Sequence, residues 1–475
     1  MAFASVCFIY IGVAIHAAPV RPEFIETSPD SWSFRLSESK KPFVPVGVNH
    51  EHDGRERLIE DYWETEWKKV EEDFGEIKQM GFNVVRIHLQ FSRFMKSKDE
   101  ANSAELDRLV KLGQLARGLG LYLDITGLGN YVEEKIPAWY RALDDEGRIQ
   151  AETAFWSAIA GRMADEPAVF CYDLQNEPKI NYEDTEELVS PPFGGPNGYH
   201  FVNYHLRHVS PAWDAWVHKR YGDAGNLKKA WPDFGRKGET WENPGLSGPE
   251  DWVPFGQGNW DGGQRYLDHV FFCEDWAVDW VKRMKESIRK HDKRHMVTVG
   301  MTSWSLPFED PYSSFSPHKL APFLDFIALH LYPSGDEKTN NLPQQELILR
   351  TAYAGKPVVI EEFFPLLWPK DRDVFMSRTP GSASGWISFY WGDTPEELRS
   401  HKNMGDAIKA EWIEIFSTFA KRVTVTAPPT RKVGAKTLTF SMKHLRGARS
   451  EREDALKVFT EATKNGEYLD VKIER

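Results

Sequence analysis

Strand-like and helix-like segments alternate along this chain, and that alternation limits its fold more than any single motif does. FVPVGVN (43–49), GFNVVRIHL (81–89), LYLDITG (121–127), AVFCYDLQNE (168–177), HMVTVGM (295–301), FLDFIALHLY (323–332), GKPVVIEEFF (355–364) and GWISFYWG (385–392) are short apolar runs rich in strand formers. Helical patterns lie between them at about Trp63–Met80, Ala104–Leu119, Ala151–Met163 and Tyr266–His291, and one at Pro395–Arg422 follows the last. A strict alternation of this kind specifies a parallel sheet, and eight strands close into a (β/α)8 TIM barrel of the α/β class.

Three stretches stand outside the alternation. Residues 179–264 are rich in Pro, Gly, Trp and charge, too long for a plain connection, and are expected to form an inserted lid after strand four, with helical pieces in Pro211–Trp231. Residues 423–475 are basic and are expected to add a small sheet, with strands near Lys436–Met442 and Tyr468–Ile473. Ser31–Leu36 and Phe43–Asn49 flank a polar turn and suggest a hairpin leading into the first barrel strand. The catalytic domain is thus expected over 19–422. Residues 1–18 contain an apolar run from Val6 to Ile15, too short to span a membrane, that ends in small residues before Pro19. This predicts a signal peptide and a secreted or periplasmic protein, although no Lys or Arg precedes the run.

Composition narrows the partners. With 41% hydrophobic and 27% charged residues the chain is globular, and a net charge of −12 argues against nucleic acid. Cys171 and Cys273, which remain beyond the signal, do not make a disulfide framework, and Cys171 is expected in a buried strand. Eighteen tryptophans exceed ordinary core needs and suggest rings that stack on sugar, with Trp231, Trp252 and Trp260 the candidates in the insertion.

Two strands end in carboxylates. The fourth closes with Asn176-Glu177-Pro178, proline stopping the strand by withdrawing a backbone donor, and the seventh ends in Glu361-Glu362 followed by aromatics. A carboxylate at the C-terminal mouth of a barrel strand sits where such folds place their chemistry. Alternation turns Glu361 and Glu362 opposite ways, so only one is expected to face the cleft.

The ordered set of strand ends resembles a clan A glycoside hydrolase, most similar to family five, the cellulase and mannanase family. The resemblance runs over about Phe43–Gly392 and rests on Asn-Glu-Pro after strand four, the arginine of strand two, His-x-Tyr after strand six and the glutamate of strand seven. It implies a retaining glycosidase that needs no cofactor or metal, acting on a β-mannan- or β-glucan-type polysaccharide or oligosaccharide. Glu177 is then the acid/base and Glu362 the nucleophile. Arg86 would hold Glu362 anionic, and Tyr332 would donate to the same carboxylate. Asn176 would bind the sugar 2-hydroxyl and Trp391 would floor the site, while Asn49, His88 and His330 complete the expected substrate-binding set. Two departures stand out: Thr126-Gly127 where relatives commonly have a histidine, and Glu361 where a small residue is usual. The insertion resembles segments of the clan's β-galactosidase families.

Two other readings compete. His50-x-His52, His330 and Asp393 resemble part of a metal-dependent amidohydrolase site, but strands four and five lack its lysine and histidine. A non-catalytic carbohydrate-binding barrel would not require both glutamates.

Overall fold

A computed structural model of the protein describes residues 22–50, 57–131, 135–178, 210–235, 238–245, 264–307, 315–333, 342–364, 376–389, 391–424, 433–446, 449–464 and 468–475. The expected signal peptide, His52, Trp252 and Trp260 lie outside them.

Three short strands come first: β1 (Ile25–Thr27), β2 (Phe34–Leu36) and β3 (Pro42–Phe43). Eight more follow: β4 (Val46–His50), β5 (Val84–Gln90), β6 (Tyr122–Gly129), β7 (Val169–Asn176), β8 (Met296–Thr302), β9 (Ile327–Leu331), β10 (Val358–Phe363) and β11 (Gly385–Ser388). These eight form a closed barrel in sequence order, β11 pairing with β4, and every neighbouring pair is parallel. The expected TIM barrel is therefore present, and its strands are buried almost end to end because helices cover the sheet.

The expected hairpin is a three-stranded antiparallel sheet, since Pro45 breaks FVPVGVN into β3 and β4. Its Ile25, Phe34 and Phe43 pack with Val84, Tyr122, Phe170, Phe326 and Val359, residues at the beginnings of barrel strands. Phe34 meets Phe170 and Phe326 edge-on at centroid distances of 5.4 and 5.5 Å. This plug closes the N-terminal mouth and leaves the C-terminal mouth for the site.

Helices Trp67–Gln79, Ser103–Leu119, Asp145–Met163 and Gln264–Arg289 follow the expected pattern. The third begins earlier than its apolar spacing suggests because Asp144 caps it, accepting from the Gly147 N–H at 2.8 Å. The final helix is two, Pro395–Ser400 and Met404–Val423. Lys402 between them takes a positive φ, and Asn403 caps the second.

In the insertion, helices Ser210–Tyr221 and Ala224–Ala230 dock on helix Gln264–Arg289. Trp213 stacks between Trp216 and Trp231, and the Trp231 Nε1–H donates to Asp268. Trp231, expected as a sugar platform, is instead fully buried in this layer. At the C-terminus, β12 (Val433–Ser441) and β13 (Tyr468–Glu474) pair in parallel. Parallel pairing requires a crossover, and helix Arg449–Thr463, which was not expected from the sequence, supplies it. The unit rests on helix Gln264–Arg289 through Phe440, Met442 and Phe459.

Candidate active site

The site is built on β-bulges at the C-terminal ends of three strands. Opposite β5, the pairing of β6 slips between Thr126 and Gly129, where Leu128 has positive φ. Opposite β8, β7 slips between Asp173 and Asn176, and opposite β9, β10 slips at Glu361. A bulge adds a residue to one strand and re-aims the side chains beyond it. Hence Glu361 and Glu362 both point into the barrel rather than opposite ways, although only Glu362 reaches the cleft. They differ in depth: Glu361 is fully buried, whereas Glu362 lies at the cleft floor with a side chain 5% exposed.

Glu177 follows β7 with φ of 47° immediately before Pro178. A non-glycine residue in the left-handed region costs about 1–3 kcal/mol and marks a place where surrounding structure dictates conformation. Its N–H is tied to the Gly300 carbonyl at 2.8 Å, and its side chain, 26% exposed, turns back toward the barrel axis.

Between the two glutamates stands His330. Its Nδ1 lies 3.0 Å from Glu177 Oε1 and 3.5 Å from Glu362 Oε2, and one oxygen of each carboxyl group and this nitrogen all fall within 4.8 Å of one another. Burial alone would push the imidazole down, but the Glu362 charge and the hydrogen bonds to Glu177 and Glu361 outweigh it and push its pKa up to about 10.

Arg86, fully buried, organises the floor. Its Nη1 donates to Glu362 Oε1 and, at 2.8 Å, to Asn49 Oδ1. Its Nη2 donates to Asp173 Oδ2 at 2.7 Å and to Asn176 Oδ1 at 3.0 Å. With Asn176 Oδ1 engaged by Arg86, its amide nitrogen remains as the donor end of the side chain. The Tyr332 hydroxyl donates to Glu362 Oε2 at 2.6 Å from a partly exposed ring.

The remaining expected residues are buried. Asn49 is fully buried, and its amide donates to the Glu361 and Ser388 carbonyls at 3.0 and 3.2 Å, tying β4 to β10 and β11. His88 is buried against the Tyr131 hydroxyl at 2.8 Å. Trp391 is also fully buried in the main core, and its Nε1–H has no partner among the described residues. Asn49 and His88 support the site from below; Asn176, Glu177, Tyr332 and Glu362 form its surface. Thr126, noted as a departure, donates to Asp173 Oδ2 at 2.8 Å. Asp124, Asp173 and Tyr131 were missed by the sequence reading: the two aspartates sit in mid-strand, where nothing distinguishes an inward buried acid from a surface one, and Tyr131 lies just past a strand end misplaced by the bulge.

His50, central to the amidohydrolase reading, is buried and paired with Asp73 at 3.1 Å. His330 instead belongs to the carboxylate cluster, so the two histidines do not form one site.

A family model described as Cellulase (glycosyl hydrolase family 5) matches residues 36–191, and a model of glycoside hydrolase family 42, described as Beta-galactosidase, matches residues 148–386. The chain is a clan A glycoside hydrolase. It resembles family 5 over residues 36–191 and the β-galactosidase family over residues 148–386. Among curated proteins, one named "Probable mannan endo-1,4-beta-mannosidase A" from Aspergillus clavatus is 33% identical over 101 residues, covering 19% of this hydrolase and 28% of that relative.

Solved structures extend the likeness of fold. The exo-beta-1,4-mannosidase Op5Man5 from Opitutaceae bacterium strain TAV5 matches with TM-score 0.57 and 16% identity over 93% of this hydrolase and 71% of that chain. The beta-galactosidase from Rahnella sp. R3 matches with TM-score 0.61 and 15% identity over 91% and 65%. The GH5_18 enzyme from Streptomyces cattleya in complex with GlcNAc gives 0.56 and 13% over 90% and 93%.

Proposed function

We propose that this glycoside hydrolase is a retaining β-glycosidase acting by double displacement, with Glu177 as acid/base and Glu362 as nucleophile. The observation that carries this is the approach of one oxygen from each carboxyl group to within 4.8 Å of the other. Retaining enzymes hold their carboxyl groups about 5–5.5 Å apart, while inverting enzymes leave about 6.5–9.5 Å for a water. Glu177, the more exposed of the two, would protonate the departing oxygen. Glu362, fixed from both sides by Arg86 and Tyr332, would attack the anomeric carbon. Asn176, whose Oδ1 accepts from Arg86, would bind the 2-hydroxyl through its amide as the oxocarbenium ion forms.

The substrate class proposed is a β-mannan- or β-glucan-type polysaccharide or its oligosaccharides. Support comes from the segment shared with the mannan endo-mannosidase and from the family-5 model. A second reading, an exo-acting β-galactosidase-like enzyme, is favoured by the β-galactosidase model, which matches about half of the chain. An exported enzyme suits a polymeric substrate, and the apolar run Val6–Ile15 supports export.

A panel of aryl β-mannosides, β-glucosides and β-galactosides with mannan and glucan separates these substrate readings. Proton NMR of the first-formed product from the best substrate tests the mechanism. The β anomer is expected, and the α anomer would overturn double displacement.

A further inference from the structure

Beneath the two catalytic carboxyl groups lies a buried acid that the reaction as described does not use. Glu361 is turned inward by the β10 bulge, and its Oε2 lies 3.3 Å from His330 Nε2 and 3.5 Å from Arg86 Nη2. The other ring nitrogen of His330 faces Glu177 and Glu362. Glu361 on one side and Glu362, the ionised nucleophile, on the other are carboxylates that accept and do not donate, so the imidazole between them carries a proton on each nitrogen. Its positive charge is buried and requires a fixed counter-ion.

The far side of Glu361 shows how it can stay ionised. Glu361 Oε1 and Asp124 Oδ2 are buried, and neither has a donor among the described residues. Asp124, Cys171 and Glu361 converge within 4.8 Å, and the Cys171 thiol donates to Asp124 Oδ1 at 3.0 Å. One proton on Asp124, donated to Glu361, satisfies both orphaned oxygens. β8 contributes room: a Cβ on Gly300 would stand 2.8 Å from Glu361 Oε2 and 2.9 Å from His330 Nε2.

We propose that Glu361 is a positioning residue, the buried counter-ion that keeps His330 doubly protonated and thereby holds Glu177 and Glu362 in register, with Asp124 as its neutral hydrogen-bond donor. The proposal rests on the glycosidase reading of that pair. The groups facing the cluster are Arg86 from β5, Asp124 from β6, Cys171, Asp173 and Glu177 from β7 and its end, His330 and Tyr332 from β9 and its end, and Glu362 from β10. Burial raises Asp124 well above the ordinary carboxyl range, and the Glu361 charge adds to this. Burial also opposes ionisation of Glu361, but Arg86 and the hydrogen bond to His330 outweigh it and hold its pKa low.

The test is an NMR titration of isotope-labelled histidine in the full chain, alongside the pH profile of kcat/KM. In the wild type, His330 should remain an imidazolium through pH 8. Glu361→Gln preserves shape and removes the charge. It should move the His330 transition down by about 1–3 units, shift the alkaline limb of kcat/KM the same way and lower its plateau. Asp124→Asn, which mimics the neutral acid, should leave the His330 transition in place. The proposal is overturned if wild-type His330 titrates near the ordinary value of about 6.5, if Glu361→Gln leaves it unmoved, or if Asp124→Asn shifts it as far as Glu361→Gln does. Should Glu361→Gln not fold, the wild-type titration and Asp124→Asn still decide. The NMR readout needs no substrate, so absence of glycosidase activity would sink the functional reading while His330 judged this one.

Discussion

The hydroxyl of Tyr332 donates to Glu362 Oε2 at 2.6 Å, on the oxygen not taken by Arg86. The carboxylate is therefore clamped at both ends, one clamp permanent in charge and the other neutral and partly exposed. A hydrogen bond to a charged group is worth about 1.5–3 kcal/mol, so Tyr332→Phe should lower kcat/KM by roughly 10- to 100-fold with little change in melting temperature. Steady-state kinetics with an aryl glycoside checks this, and an unchanged kcat/KM would remove Tyr332 from the clamp.

Small anions should separate the two glutamates. Glu362→Ala is expected to abolish turnover, and azide should restore product of inverted configuration by entering the vacated face. Glu177→Ala should retain the first step only for activated leaving groups, since general acid help is worth about 10²–10⁴ in rate. Azide there should give product of retained configuration. The opposite pair of azide products would mean that the roles are exchanged.

Glu60 gives the fold a pH dependence of its own. It is buried, accepts from the Gln90 N–H at 2.7 Å, and is pushed up to about 7, chiefly by burial. An acid whose folded pKa lies above its unfolded value near 4.5 stabilises less as pH rises between the two. Glu60→Gln should therefore gain on the wild type from pH 4.5 to pH 7, by about 3 kcal/mol at most. Urea unfolding at pH 5 and pH 8 measures the difference, and a stability of Glu60→Gln that falls relative to the wild type with rising pH would contradict it.

The tryptophan layer of the insertion should act on stability rather than on substrate length. Trp231 stacks on Trp213 at 5.8 Å, lies under Arg265 and donates to Asp268. Trp231→Ala should cost about 3–5 kcal/mol and leave the ratio of KM for long and short substrates unchanged. A selective rise in KM for long substrates would restore the sugar-platform role.

The amino-acid sequence alone determined the barrel, because helix and strand periods are local properties of side-chain spacing, and each of the eight apolar runs contributed a barrel strand, the first only from Val46 onward. It also marked Glu177 and Glu362, since Asn-Glu-Pro and a doubly acidic strand end are visible without neighbours. Only the tertiary structure decided depth and direction. Bulges in β6, β7 and β10 depend on pairing with adjacent strands, so simple alternation could not foresee that Glu361 turns inward with Glu362. Burial is likewise a property of what covers a residue: Asn49, His88 and Trp391 sit near or just beyond strand ends as expected, yet the fold buries all three. Charge pairing among Arg86, Asp124, Asp173, His330 and Glu361 arises where five strands converge, a proximity that no sequence spacing records.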